Sequence, residues 1–169
     1  MNLLQFVESF FSYAFNSQKT YGVPFEVALA QSILETGYGK FAPGNMMFGV
    51  KAGSNWKGDK QLIKTTEYHD TDKVKYPEII RIEKQPNGKY LYTVRDYFRK
   101  YPTPQESFND YAIMLTKNFK TAFQYSSDPF RFAKELALRG YATDPNYYSK
   151  LESLIKDIQA KKKLLKLQG

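Results

Sequence analysis

The chain has 169 residues, with 25 lysines and arginines against 17 aspartates and glutamates and a net charge of +8; that length fits one domain rather than two. It has no cysteine and one histidine, His69, which excludes disulfides, thiolate catalysis and zinc–thiolate sites and leaves any zinc hydrolase or serine triad to be built around a single imidazole. Acid–base chemistry must then run on Asp, Glu, Tyr and Lys, and 14 tyrosines among 17% aromatics suit a wet groove that stacks on flat faces such as those of sugars or bases.

The first twenty residues resemble a signal peptide only superficially: no basic residue precedes Lys19, and Glu8 interrupts the apolar stretch. Leu3, Leu4, Val7, Phe10, Phe11, Ala14 and Phe15 recur at three-to-four spacing, which predicts an amphipathic helix. No run reaches the ~20 apolar residues of a membrane span. Val23-Pro24 opens a second helix with Val27, Ala30, Ile33 and Leu34 inward, ended by Gly37. Between about 55 and 95 the period changes to that of strands. Leu62–Tyr68 reads as one, and Ile79, Ile80, Ile82 and Tyr90, Tyr92, Val94 flank Pro86-Asn87-Gly88 as a hairpin. Thr103, Pro104 and Glu106 form a capping box that starts a helix over Pro104–Ala122. Asp128-Pro129 starts the next, closed by Arg139 and Gly140, and Asp144-Pro145 starts a last one running into the lysine-rich end. The expected architecture is α+β: a mainly helical body with a small β-hairpin lobe, one domain over 1–160 and a basic tail over 161–169.

Glu35 stands just before the glycine that ends its helix, after the apolar pair Ile33-Leu34. The negative end of the helix dipole and partial desolvation both push such a carboxyl's pKa upward, as a general acid at neutral pH requires. A glycoside-cleaving site needs a second group across the bond, and Glu67 in the segment KTTEYHD, sharing a strand face with His69, is the candidate. By position alone each glutamate reads more readily as a solvated surface residue, and His69 as an exposed neighbour.

The runs VPFEVALAQSILETGYGKFAPGNMMFGVKA, NWKGD, TTEYHD, YFRKYPTPQESFNDYAIML and GYATDPNYYSKL follow one another in an order that resembles glycoside hydrolase family 73, over about residues 20–158. This is a family of β-N-acetylglucosaminidases of bacterial cell-wall turnover that includes flagellar rod muramidase-like domains, autolysins and phage lysins. The resemblance implies a lysozyme-like fold and hydrolysis of the β-1,4 bond between N-acetylglucosamine and N-acetylmuramic acid, with Glu35 on the family's general acid, Glu67 on its second acidic residue and Tyr141 on its active-site tyrosine. Asn45, Phe48 and Gly49 match the pattern that shapes the groove floor, with Met46 and Met47 in place of the usual polar residue and leucine. Tyr38 and Trp56 complete the expected substrate-binding set. Phe48 reads as core more than ligand contact, and Trp56 equally as a sugar-stacking ring or as packing at the base of the lobe. Asp144 is expected to cap its helix, and Asp110 and Tyr111 to serve helix packing.

Three routes are open to the chemistry: Glu67 as nucleophile if within ~5 Å of Glu35, Glu67 activating water at ~6.5–9.5 Å, or attack by the sugar's own 2-acetamido oxygen. The third is favoured, because an N-acetyl sugar brings its nucleophile with it. No cofactor or metal is expected. Peptidoglycan glycan strands are the expected partner, met by a monomer at the cell wall, in the periplasm or outside the cell. Without a signal sequence, delivery is expected by phage-type lysis or an export device. The lysines at 150, 156, 161, 162, 163 and 166 suit anionic wall polymers or lipid, or a docked last helix with cations at its C-terminal end. The competing readings are a lytic transglycosylase or muramidase of the lysozyme-like group, a non-catalytic wall-binding module, and a nucleic-acid binder. No zinc finger, RNA-recognition or glycine-loop motif supports the last.

Overall fold

A computed structural model describes residues 1–168. The chain divides into two compact units, a helical one from Met1–Phe48 together with the segment from Pro102 onward, and a sheet unit over Gly49–Tyr101. Among the described residues no helix is long and apolar enough to cross a membrane.

The helical unit contains α1 (Leu3–Tyr21), α2 (Phe25–Thr36), α3 (Pro104–Asn118), α4 (Pro129–Leu138) and α5 (Tyr147–Leu165). Every helix expected from the sequence is present. Helix α2 is at the centre: Val27, Ala28, Leu29, Ala30, Gln31, Ser32 and Ile33 are all buried, as a helix apolar nearly all round must be. Phe6, Val7 and Phe11 of α1, Phe108, Tyr111 and Leu115 of α3, Phe132 and Leu136 of α4, and Leu151, Ile155 and Ile158 of α5 complete the core. Each such side chain removed from water contributes about 1.5–3 kcal/mol. Met46 and Met47 are buried as well, consistent with methionine filling irregular apolar space.

Helix ends follow the sequence closely, with three corrections. The Thr103 hydroxyl accepts from the Glu106 N–H and donates to the Glu106 carboxylate at 3.1 Å, so only the Thr103 half of the expected capping box forms. Helix α3 stops at Asn118 rather than Ala122, because Phe119 leaves helical geometry (φ −132°, ψ 44°) and a 3-10 turn over Lys120–Tyr125 follows; the Phe119 ring packs on Tyr141 at 5.5 Å. Helix α5 starts at Tyr147, two residues past Pro145, since the Asp144 carboxylate first accepts from the Asn146 N–H at 2.9 Å and pairs with Lys150 at 2.5 Å. The Lys150 ammonium holds the Asp144 carboxyl below its usual range.

The basic end of the chain is a continuation of α5 up to Leu165, not a separate tail from residue 161; position 169 of the expected tail lies outside the described residues. Lys162 folds back over the rings of Phe25 and Phe11, 5.1 and 5.5 Å from their centroids.

The sheet unit has three antiparallel strands, β1 (Lys60–His69), β2 (Glu78–Lys84) and β3 (Tyr90–Arg99), in the order β1-β3-β2. The central strand carries the buried residues Tyr92, Val94 and Phe98 at even spacing, the period-2 signature of a strand with one covered face. The β2–β3 turn closes through Gln85 N–H to Lys89 O (2.7 Å) and Gly88 N–H to Gln85 O (2.9 Å), with Gly88 at φ +83°, as the Asn-Gly pair predicts.

Candidate active site

Glu35 occupies the last turn of α2, which the αL residue Gly37 (φ +56°) closes by donating its N–H to Ile33 O. The following loop is tied back to the helix through Thr36: its hydroxyl donates to Ser32 O at 2.6 Å and accepts from the Gly39 N–H at 2.9 Å. The residue after Glu35 is therefore a fixed anchor, and the carboxylate projects from a rigid helix end. Glu35 is exposed by its accessible surface, yet desolvation by the surrounding protein pushes its pKa above the usual carboxylate value. Protonation responds to the protein volume that displaces solvent around the carboxyl, and that volume makes Glu35 a better acid reservoir near neutral pH than an ordinary surface glutamate.

Three tyrosines share its electrostatic surroundings. The hydroxyls of Tyr111, Tyr141 and Tyr147 are each pushed up, first by burial and further by the charge of Glu35. The Tyr147 pKa reaches about 12, with a hydrogen bond from Gln31 pulling the other way. All three therefore remain neutral O–H groups at physiological pH. Tyr141 stacks on Tyr147 at 5.9 Å and 12°. Tyr111 stacks face to face on Phe48 at 3.8 Å and 5°.

The substrate-binding candidates of the helical unit fall into two kinds. Phe48 is 5% exposed and is also met edge-on by Phe108, which makes it a packing residue beneath the site. Tyr38 and Asn45 both take left-handed backbone conformations (φ +60° and +56°), an uncommon setting for non-glycine residues that is often found near functional loops. Tyr38 is half-buried, its ring edge-on to Phe6 at 6.5 Å.

In the sheet unit, Glu67 lies on β1 opposite Tyr92 of β3. Its carboxylate takes the Lys51 ammonium at 2.7 Å, and the same ammonium reaches Asp96 at 3.1 Å. Burial alone would lower the Lys51 pKa; the hydrogen bonds it donates to the two carboxylates, with their charges, outweigh this and raise it. His69 shares the Glu67 face, bonds the Tyr76 hydroxyl through Nε2 at 2.7 Å and meets Tyr92 edge-on. Trp56 donates its indole N–H to Asp59 O at 2.8 Å, carries the Arg99 guanidinium over its ring at 4.4 Å and packs edge-on to Tyr101. Gly58 lies so close to this indole that an added Cβ would come within 2.4 Å of it. Among the described residues no group of His, Asp and Glu side chains is arranged to hold a metal ion.

Sequence reasoning missed Lys51, Gln31 and the hydroxyl roles of Tyr111 and Tyr147. Gln31 did leave a signal: it is the one amide in the apolar run VALAQSIL, four residues and hence one helical turn before Glu35. For Glu67, the ion pair predicts a modest substitution cost. Glu67→Gln should leave the melting temperature within a few degrees, since exposed pairs are worth about 0–1 kcal/mol and Lys51 keeps Asp96.

A family described as mannosyl-glycoprotein endo-beta-N-acetylglucosaminidase, or glucosaminidase, matches residues 12–160. The chain is 34% identical to the peptidoglycan hydrolase FlgJ of Vibrio parahaemolyticus, over 92% of this chain and 47% of that protein. It is 32% identical to an autolysin of Enterococcus faecalis, over 76% of this chain and 16% of that one. The chain thus spans less than half the length of these curated relatives. Among solved structures it resembles the glycoside hydrolase domain of Salmonella typhimurium FlgJ, with TM-score 0.72, 29% identity and coverage of 98% of this chain and 94% of that one. It also resembles the catalytic domain of the autolysin Auto of Listeria monocytogenes, with TM-score 0.67, 25% identity and coverage of 96% and 88%. The helix-rich unit and small antiparallel sheet thus correspond to the lysozyme-like fold of these domains.

Proposed function

The chain belongs to the glucosaminidase family, glycoside hydrolase family 73, and from that premise we propose that it hydrolyses the β-1,4 bond of peptidoglycan between N-acetylglucosamine and N-acetylmuramic acid, with Glu35 as the general acid. The observation that carries this reading is the setting of Glu35: the last turn of a buried helix, a carboxyl pushed up by desolvation, and three tyrosine hydroxyls that feel its charge. Such a carboxyl holds its proton long enough to deliver it to the leaving glycosidic oxygen.

For the other face of the sugar, the ion pair with Lys51 favours a supporting role for Glu67. A carboxylate held by an ammonium at 2.7 Å must give up that charge-assisted contact before it can attack carbon. The 2-acetamido oxygen of the substrate attacks the anomeric carbon instead, forming an oxazolinium ring as the C–O bond breaks and Glu35 gives up its proton. Water then opens the ring and Glu35 recovers the proton. Tyr141 positions the acetamido group, and Glu67 stabilises the positive charge that develops on it. Tyr38, Asn45 and Trp56 contribute to saccharide binding. The protein works at the cell wall as a single chain, drawn to anionic polymers by its net positive charge, with the exposed lysines of the α5 end as one contact.

Mass spectrometry of borohydride-reduced fragments from digested peptidoglycan tests the bond assignment. Reduced N-acetylglucosamine at the new end is expected. Reduced muramic acid would make the enzyme a muramidase, and anhydromuramic acid a transglycosylase.

A further inference from the structure

Gln31 is fully buried in the middle of α2, between Ala30 and Ser32 and among apolar neighbours. A carboxamide in such a place costs several kcal/mol unless both its ends are bonded. Here both are. The Tyr111 hydroxyl of α3 donates to Gln31 Oε1, and Gln31 Nε2 donates to the Tyr147 hydroxyl, the first residue of α5, at 2.8 Å. The amide joins two aromatic stacks: Phe48 on Tyr111 and Tyr141 on Tyr147. For stability alone a well-packed apolar side chain would serve as well or better at this position, with phenylalanines facing it. The arrangement makes sense as a device that fixes hydroxyls and ring planes.

We infer that Gln31 is a positioning residue of the active site, clamping the Tyr147 hydroxyl and, through the Tyr147 ring, setting the plane of Tyr141 relative to the helix end that carries Glu35. The bond polarity matters. Because Tyr147 accepts from Gln31, its own proton points away from the amide and is free to be donated, while Tyr111 spends its proton on Gln31. The two tyrosines are thereby differentiated: Tyr111 is an anchor, and Tyr147 is a donor with its ring held under Tyr141. A displacement of order 1 Å in such a constellation can cost about 100-fold in turnover, so the clamp acts on kcat rather than on saccharide affinity.

The inference rests on the glycosidase reading for its kinetic test, and a second measurement stands apart from activity. Gln31→Met keeps the side-chain length and removes both hydrogen bonds; Tyr147→Phe keeps the ring stack and removes one. On purified peptidoglycan each is expected to lower kcat by about 10- to 100-fold with KM within about threefold of the parent. The double variant should be no slower than the slower single one, because both act through one bond. A kcat within threefold of the parent for folded Gln31→Met, or losses that multiply in the double variant, would overturn the assignment. If Gln31→Met does not fold, Tyr147→Phe decides on the same thresholds. In ¹³C-tyrosine-labelled protein, the Tyr141 ring signal should shift or broaden in Gln31→Met; an unmoved signal overturns the clamp whatever the activity. Absence of turnover in the parent protein would count against the glycosidase reading alone and leave this NMR result to judge Gln31.

Discussion

Glu35→Gln is expected to lower wall-lytic turnover by about 10³-fold or more, within or beyond the range lost with a general acid, while the fold is retained. Glutamine preserves the size of the side chain and can hydrogen-bond, but it cannot deliver a proton to the departing sugar oxygen. Retention of more than a tenth of the parent activity in a folded Glu35→Gln protein would remove Glu35 from the role of acid. The parent's pH dependence carries the same information. With Glu35 as the proposed acid, cleavage requires its protonated carboxyl, and desolvation raises its pKa above the ordinary value near 4.5, so activity should persist above that pH and fall as the raised value is passed. The stability effect has the opposite sign to the activity effect. A carboxyl that is harder to ionise in the folded state than in the unfolded one favours unfolding once the unfolded chain's glutamate loses its proton. Below the ordinary glutamate range parent and Glu35→Gln should therefore melt together. Above it the variant should be equally or more stable, the gap opening as pH rises through the raised pKa and then levelling. A variant less stable than its parent at neutral pH would show that the Glu35 charge is favourably partnered, contrary to the desolvated setting described above.

The largest stability effect is expected at Tyr111. Its side chain is completely buried, lies flat on Phe48 and donates its hydroxyl proton to Gln31. Tyr111→Ala removes a core aromatic ring, worth about 3–5 kcal/mol, and leaves the buried Gln31 oxygen without its donor, a further ~1–3 kcal/mol. The two losses overlap, so a total of about 4–6 kcal/mol is expected, a large part of the ~5–15 kcal/mol that holds a typical domain folded. Urea unfolding should show the midpoint falling steeply with little change in slope. Tyr111→Phe isolates the hydroxyl and should cost only ~1–2 kcal/mol. If Tyr111→Ala costs under ~2 kcal/mol, the packing described around Phe48 and Gln31 does not hold the helical unit together.

Within the groove-floor pattern, Phe48 packs flat on Tyr111, whose hydroxyl donates to Gln31. Met46 and Met47, where the sequence departs from its family's pattern, are buried. The departure is thus absorbed in packing.

What could be read from the sequence are the features whose causes lie within a few residues of one another. Proline after Asp128, Thr103 or Val23 marks helix starts because its fixed φ and missing N–H suit a first turn. Gly37 ends α2 because the chain must enter a left-handed conformation there. Pro86-Asn87-Gly88 turns a hairpin for the same local reason. The position of Glu35 in the last turn of α2 belongs to this class, and so it could be singled out as the candidate acid before the fold was known. Where local cues met a longer-range demand they gave way: Phe119 leaves α3 for a turn in which its ring packs on Tyr141, which lies beyond α4. The surroundings of each candidate glutamate, taken within its own unit, belong to the tertiary structure alone. Gln31 meets partners 80 and 116 positions away, and Lys51 is brought to Glu67 and Asp96 only when β1 and β3 pair. Desolvation, ring stacking and the polarity of a hydrogen-bond chain are sums over neighbours in space, and no spacing along the chain encodes them.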